Sequence, residues 1–144
     1  MTSTVDRATA LFAVTAQRAG QDEILQLRGE LTMAHTHELR SLIRTVLTNR
    51  DPGRLVLDLS KLKFIDSSGV AVMMWAHFRL AERGHLLCLA APCDHVLRVL
   101  RITGLHQRLL TRRTVSAALA TALDAQVPPI SAAQPSKVAG GVPV

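Results

Sequence analysis

An alternation of apolar and polar residues near the amino terminus predicts a β-hairpin. Residues 10–18 (ALFAVTAQR) and 23–29 (EILQLRG) alternate in part between the two classes, as strands with one buried face do. Gly20, Gln21 and Asp22 lie between these segments and are typical turn residues. The fold is therefore expected to open with two antiparallel strands.

A helical spacing of apolar residues follows the hairpin. Between residues 34 and 49, apolar side chains recur at every third or fourth position, at Leu39, Leu42, Ile43, Val46 and Leu47. This spacing predicts a helix with one apolar face. The helix is expected to end before a turn formed by Asp51, Pro52 and Gly53.

Two short apolar runs have the composition of buried central strands. The first covers residues 55–59 and the second covers residues 86–90. Between the first run and the segment that begins at Asp66, the sequence predicts a loop through Lys61 and Lys63.

Helices are expected to alternate with these strands. After the helix at residues 34–49, a second helix is predicted at about residues 68–82 and a third at about residues 94–103. Each of these two helices has a glycine just beyond its end. Residues 107–110 are predicted to form an edge strand. Thr114 is expected to cap a last helix that runs through Asp124.

This order of elements predicts an α/β fold. Strands that alternate with helices pair in parallel through helical crossovers, whereas the opening hairpin pairs antiparallel. We therefore expect a small mixed β-sheet flanked by about four helices. Residues 1–126 are predicted to be one domain, with its core at about residues 10–124. Residues 127–144, rich in Pro, Gly, Ala and Ser, are predicted to be a disordered tail.

Composition narrows the class of protein. The chain is 48% hydrophobic but only 3% aromatic, so its core must be packed by aliphatic side chains. No apolar run reaches the roughly 18 residues of a spanning helix, and residues 1–7 lack the apolar region of a secretory signal. The sequence thus predicts a cytoplasmic protein without membrane insertion. Cys88 and Cys93 are expected to be reduced thiols, because they lack the paired ligands of a zinc site.

The charge is concentrated in the carboxyl half. Of the formal net charge of +6, most comes from seven arginines between Arg79 and Arg113, which are opposed only by Glu82 and Asp94. Such a surface is compatible with plain solvation, with an acidic protein partner or with nucleic acid. No aromatic residue is interleaved with the arginines to stack on bases, so nucleic acid is not the expected partner.

Signals for catalysis are absent from the sequence. It contains no G-x-S-x-G elbow, no P-loop and no dinucleotide-binding glycine fingerprint. On a continuous helix, His77 would lie about 13 Å from Ser68, too far for direct proton transfer. His35 and His37 are two residues apart and would point to different sides of the first helix. They would therefore make a poor pair of metal ligands. Neither enzymatic activity, nor a cofactor, nor a metal is therefore expected.

The segment Asp66-Ser67-Ser68-Gly69 carries the most chemical information. It joins a buried strand to a helix, where unpaired backbone N–H groups and the positive end of the helix dipole point outward. A phosphate on either serine would be tolerated there, while its two negative charges could abolish a contact with another protein. From the residues alone, Asp66 or Ser67 is equally an ordinary helix N-cap.

Several segments in the same order resemble the STAS domain of bacterial anti-sigma factor antagonists. Asp66-Ser67-Ser68-Gly69 after residues 55–60 resembles the family signature, and Gly29-Glu30-Leu31 resembles its segment at the end of the second strand. Residues 86–105 resemble the strand and helix that follow the switch helix. The resemblance covers roughly residues 10–124 and implies the STAS fold.

The family implies a function in partner switching. The serine directly before the glycine is phosphorylated by an anti-sigma factor with serine kinase activity, which makes Ser68 the expected phosphoacceptor. The unphosphorylated antagonist sequesters that anti-sigma factor and frees a sigma factor, and a phosphatase reverses the modification. Asp66, Ser67, Gly69 and Glu30 are expected to form the switch loop and partner surface of a monomer or weak dimer.

Thr32 and Trp75 are also expected to belong to the partner surface. Thr32 stands where many relatives carry an acidic residue, which affects a polar contact to the kinase. Trp75 is assigned to the partner surface, although a place in the core is also open. The alternative function is that of a non-phosphorylated STAS accessory subunit of an ABC transport complex or of a signalling assembly.

Overall fold

The computed structural model describes residues 7–8, 11–49 and 52–122, and these form one mixed sheet with helices. The strands are β1 (Arg7–Ala8), β2 (Phe12–Ala19), β3 (Asp22–Leu31), β4 (Arg54–Ile65), β5 (Leu86–Ala90) and β6 (Leu110–Arg112). The helices are α1 (Thr36–Asn49), α2 (Ser67–Ala81), α3 (Asp94–Ile102), α4 (Leu105–Arg108) and α5 (Val115–Leu119).

The strands lie in sequence order across the sheet. The pairs β1–β2 and β2–β3 are antiparallel, and β3–β4, β4–β5 and β5–β6 are parallel. The predicted α/β class, with a mixed sheet that opens on an antiparallel hairpin, is therefore confirmed. The parallel strands end at the same edge of the sheet, and this edge carries the candidate site.

Alternation along the central strands divides the core between the two faces of the sheet. Leu55 and Leu57 of β4 belong to the main core with the buried residues of α1, α2 and α3. Val56, between them, belongs to a smaller cluster with Cys88 and with Ala118 of α5. Successive strand side chains point to opposite faces, so the buried apolar run of β4 reflects a strand covered on both sides.

One part-buried ion pair ties the hairpin to the parallel sheet. The Asp22 carboxylate accepts hydrogen bonds from the Arg54 backbone N–H at 3.0 Å and from its Nη1 at 2.8 Å. The Arg54 Nε donates to the carbonyl oxygen of Thr121 at 2.7 Å. These bonds join the first residues of β3 and β4 to the chain just after α5.

The loop predicted through Lys61 and Lys63 is wrong, because β4 continues to Ile65. The pairing of β3 with β4 shifts register twice, and each time β4 contains one residue more than β3. These bulges place Leu59, Leu62 and Ile65 in the core at a spacing of three instead of two. The spacing is not that of a regular strand.

The predicted ends of several elements also need correction. The edge strand expected at residues 107–110 lies at Leu110–Arg112, and the short helix α4 precedes it. α5 is capped by Thr114, as expected, but it ends at Leu119, beyond which the Thr121 carbonyl accepts its bond from Arg54. His35 was assigned to α1 but precedes it; it is buried and stacks on Phe12 at 5.2 Å.

Both cysteines lie within the described residues, whereas the carboxyl-terminal segment does not. Both cysteines are free thiols, as expected, and burial raises the pKa of Cys88. Cys93 Sγ donates to the carbonyl oxygen of Leu62 at 3.2 Å, which attaches the start of α3 to β4. The predicted tail at residues 127–144 lies outside the described residues, and the domain limits at residues 1–126 stay a prediction.

We expect Asp22→Asn to lower the free energy of unfolding by about 2 kcal/mol, because it weakens two charge-assisted hydrogen bonds of a part-buried group. Urea denaturation measures the change. The matched control is Glu82→Gln, which removes an exposed pair at 4.0 Å to Arg79 and should change stability by less than about 1 kcal/mol. Equal effects of both substitutions would contradict the structural role of Asp22.

Candidate functional site

The candidate site begins where β4 passes into α2, next to the end of β3. Leu31 and Ile65 pair across β3 and β4. The Asp66 backbone N–H donates to the carbonyl oxygen of Leu31 at 3.2 Å, which continues the pairing for one more residue. Asp66 itself has an extended backbone, and α2 begins at the next residue.

Asp66 is the N-cap of α2, as the sequence allowed. Its Oδ1 accepts a hydrogen bond from the Gly69 backbone N–H at 3.0 Å. Its Oδ2 accepts a bond from the Met33 backbone N–H at 3.2 Å. One carboxylate therefore caps the helix and fastens the turn between β3 and α1 to the helix start.

Gly69 is required by close packing. It is buried, and a Cβ at this position would lie 2.6 Å from Ile65 Cγ1 and 3.0 Å from both Leu31 Cγ and Leu31 O. Two of these contacts involve core side chains and one involves backbone. The glycine lets the first turn of α2 lie directly on the ends of β3 and β4.

The two serines occupy the outer side of this first turn. Ser67 is exposed and Ser68 is half-buried. Among the residues that the structure describes, no hydrogen bond engages the Ser68 hydroxyl. The fixed backbone and the unengaged hydroxyl together place the Ser68 oxygen at the positive end of a helix of 15 residues.

Glu30 and Thr32 lie at the same edge of the sheet as Asp66. Glu30 is exposed and pairs with Phe64 across the two strands, while its carbonyl oxygen accepts a bond from His35 Nδ1 at 3.1 Å. The Thr32 Oγ1 accepts a bond from the Ala34 backbone N–H at 3.3 Å. The Thr32 hydroxyl thus serves the local turn before α1.

Trp75 lies farther along α2, about 10 Å beyond Ser68 on nearly the same side of the helix. It is half-buried and packs against the main core. The guanidinium carbons of Arg40, Arg44 and Arg79 lie 5.6, 5.1 and 5.9 Å from its ring centroid, within the range of cation–π contact. Trp75 therefore contacts the core and also forms part of a basic surface.

Three consecutive bulky residues of α2, Met73, Met74 and Trp75, do not all face inward, because successive helical residues point about 100° apart. Met73 is fully buried, whereas Met74 and Trp75 are only partly buried. The helix also has an apolar outer face that was not predicted, and it consists of Ala71, Met74 and Phe78. Phe78 is 49% exposed. The available signal was that apolar residues occur on every side of the predicted helix instead of in one stripe.

The described residues contain neither a candidate metal site nor a candidate membrane span. No group of three or more His, Cys, Asp or Glu side chains in residues 7–8, 11–49 and 52–122 is arranged to hold a metal ion. No helix in this part of the chain is long and apolar enough to cross a membrane.

Fold and site together define a small domain that presents a capped helix start at the carboxyl edge of a mixed sheet. The family model described as "Mlab, STAS domain" matches residues 14–116 of the 144. This match covers most of the chain, so the chain belongs to the STAS-domain family.

Solved structures of anti-sigma factor antagonists are similar to this chain. One from Mycobacterium paratuberculosis is 22% identical, with a TM-score of 0.70, over 78% of this chain and 94% of the relative. Unphosphorylated SpoIIAA is 22% identical, with a TM-score of 0.66, over 74% of this chain and 93% of its own. Phosphorylated SpoIIAA from Bacillus is 21% identical, with a TM-score of 0.60, over 74% and 96%.

A relative of a different kind has the same fold. A sulfate transporter family protein from Wolinella succinogenes is 20% identical, with a TM-score of 0.59, over 69% of this chain and 83% of the relative. At these low identities, the likeness to solved structures establishes a common fold.

Gly69→Ala should lower the free energy of unfolding by about 1–2 kcal/mol, although alanine is the better helix former by about 1 kcal/mol. The added methyl group would overlap Ile65 and Leu31. Thermal or urea denaturation measures this loss. Ser67→Ala, at an exposed position of the same turn, is the control and should leave stability nearly unchanged. A Gly69→Ala protein as stable as the original would contradict the close packing described.

Proposed function

We propose that this protein is an anti-sigma factor antagonist switched by phosphorylation of Ser68. In the unphosphorylated form it binds an anti-sigma factor with serine kinase activity and frees a sigma factor. The kinase transfers the γ-phosphoryl group of ATP to Ser68 Oγ, with loss of the hydroxyl proton and release of ADP. A phosphatase restores the unphosphorylated form.

The unengaged Ser68 hydroxyl on a rigid helix start is the observation that carries this proposal. Asp66 fixes the turn through two hydrogen bonds, and Gly69 seats it on the core. Ser68 is therefore held in place without its own hydroxyl being part of the fold. A kinase can modify such an oxygen without first breaking a structural bond.

The modification would change the surface more than the fold. A phosphate adds close to two negative charges, which the positive end of the α2 dipole tolerates. The same charges would lie beside the apolar outer face formed by Ala71, Met74 and Phe78, about two turns before Trp75 on nearly the same side of α2. A partner seated on that face would have to desolvate the phosphate, which weakens the complex.

The other predicted partner residues fit this surface in different ways. Glu30 is exposed at the same edge of the sheet and can contact a protein seated over α2. Trp75 and its arginines extend the surface along α2 toward α1 with positive charge, which favours an acidic partner. Thr32, whose hydroxyl accepts a bond in its own turn, contributes through the shape of that turn.

The solved relatives support the proposal. SpoIIAA is described as an anti-sigma factor antagonist, and it is known in unphosphorylated and phosphorylated forms with a fold similar to this chain. The proposal includes a cytoplasmic location, a monomer or weak dimer, and no enzymatic or nucleic-acid-binding activity. The lack of aromatic residues among the carboxyl-half arginines supports the last point.

A second candidate function rests on the sulfate transporter family protein with the same fold. In that case the protein would be an accessory subunit of a transport complex, and Ser68 would stay unmodified. The apolar outer face of α2 would then contact another subunit permanently. The two candidates predict different responses to a change at Ser68.

Ser68→Asp is expected to weaken binding to the cognate anti-sigma kinase at least about 10-fold, because it places a negative charge beside the partner surface. Ser68→Ala should bind as well as the original protein and should not incorporate phosphate from ATP. Isothermal titration calorimetry measures the affinities, and mass spectrometry locates the phosphate.

Ser67→Ala is the matched control, one residue away on the same turn, and this variant should still incorporate phosphate at Ser68. If the kinase modifies Ser67 and leaves Ser68 unmodified, the assignment of the phosphoacceptor is wrong. If no serine kinase modifies the protein and Ser68→Asp still co-purifies with transporter subunits, the second candidate replaces the first.

A further inference from the structure

A cavity of about 330 Å³ lies at the carboxyl ends of β5 and β6, apart from the Ser68 site. One wall is apolar and consists of Ala91, Pro92 and Leu97. The lining also includes three arginines and one histidine from α3, α4, β6 and the residue after β6: Arg101, His106, Arg112 and Arg113. The cavity therefore combines an apolar surface with concentrated positive charge.

The three guanidinium groups are not neutralised by carboxylates. Within the described ranges 7–8, 11–49 and 52–122, Arg101, Arg112 and Arg113 form no salt bridge. Arg112 Nη1 donates to the carbonyl oxygen of Thr111 at 3.2 Å, so one of its donors is used. The remaining guanidinium donors can bind an anion, and arginine is the side chain best suited to the oxygens of a phosphate.

The sheet and α3 hold the walls of this cavity in place. The Ala91 backbone N–H donates to the carbonyl oxygen of Arg112 at 2.9 Å, which extends the pairing of β5 with β6. Ala91 has a φ of 57°, so the chain turns sharply toward Pro92. His106 Nδ1 donates to the carbonyl oxygen of Leu100 at 3.3 Å, which orients its ring.

Size and position favour a small ligand over an extended chain. A volume of about 330 Å³ lies at the lower end of the range for small-molecule pockets. The cavity lies at the carboxyl ends of two parallel strands, β5 and β6. The apolar wall suits a hydrocarbon or aromatic group, and the arginines suit an anionic group attached to it.

We propose that this cavity binds a small organic phosphate monoester. Its phosphate would lie among Arg101, Arg112 and Arg113, and its organic group would pack on Pro92 and Leu97. This binding is independent of phosphorylation at Ser68, since the cavity uses β5, β6, α3 and α4 and none of the Ser68 turn. The protein would thus respond to a soluble ligand as well as to a protein partner.

The test uses phenyl phosphate as the probe and the full chain labelled with ¹⁵N. We expect saturable shifts of the amide signals of Ala91, Leu97 and Arg113 at a fixed low ionic strength. Inorganic phosphate should bind more weakly, because it lacks the apolar group, and benzyl alcohol should cause no comparable shifts. Arg101→Gln and Arg113→Gln should each raise the Kd for phenyl phosphate by about 10-fold.

Arg98→Gln is the matched control, because Arg98 is an exposed arginine of the same helix that does not line the cavity. It should change the Kd by less than about 2-fold, and the amide spectra should show that all three variants remain folded.

An equal effect of Arg98→Gln and Arg101→Gln would mean that only net charge matters, and the proposal would be overturned. It would also be overturned by a lack of saturation below about 10 mM probe. Tighter binding of a pentaglutamate peptide than of phenyl phosphate would replace the proposed ligand by an acidic protein segment.

Discussion

The carboxylate of Asp66 is the constraint on which the Ser68 site depends. Its two oxygens bind backbone N–H groups from both sides of the sheet edge, at Gly69 in α2 and at Met33 in the turn after β3. The helix start cannot move without breaking one of these bonds. Because the carboxylate supplies the cap, the neighbouring serine hydroxyls are left outside the fold. The rigidity of the turn and the freedom of the Ser68 hydroxyl therefore have the same cause.

The sequence predicted the order of the central strands and helices and an N-cap at Asp66 or Ser67, since these depend on local patterns. The cap at Asp66 and the helix behind it follow from residue type and spacing over a few positions. The end of β4 could not be predicted in this way. Its bulges are set by pairing with β3, thirty residues earlier, and they give Leu59, Leu62 and Ile65 a spacing that resembles no regular strand. The end of β4 is therefore determined by its register with β3, and the local periodicity of the sequence does not indicate it.

The environments of Trp75 and of the arginine cavity depend on contacts between elements. Arg40 and Arg44 reach the indole from α1, and the sequence alone does not indicate which helices lie side by side. Arg101 and Arg113 are likewise separated along the chain and meet because β6 lies beside β5. The sequence showed an excess of arginine in the carboxyl half but did not indicate which of these arginines lie together. In the structure, part of this charge lines a concave site.

The sheet places two chemically different surfaces along one edge. β4 leads into the Asp66 cap, where an added negative charge would act on an apolar helix face. β5 and β6 end at a cavity with fixed positive charge. The bond from Cys93 Sγ to the Leu62 carbonyl joins the start of α3 to β4, so the walls of both surfaces rest on the same strand. Parallel strands bring their carboxyl ends together whatever loops follow them. Differences in those loops are therefore sufficient to place the Asp66 cap and an arginine-lined cavity at the same edge of one small sheet.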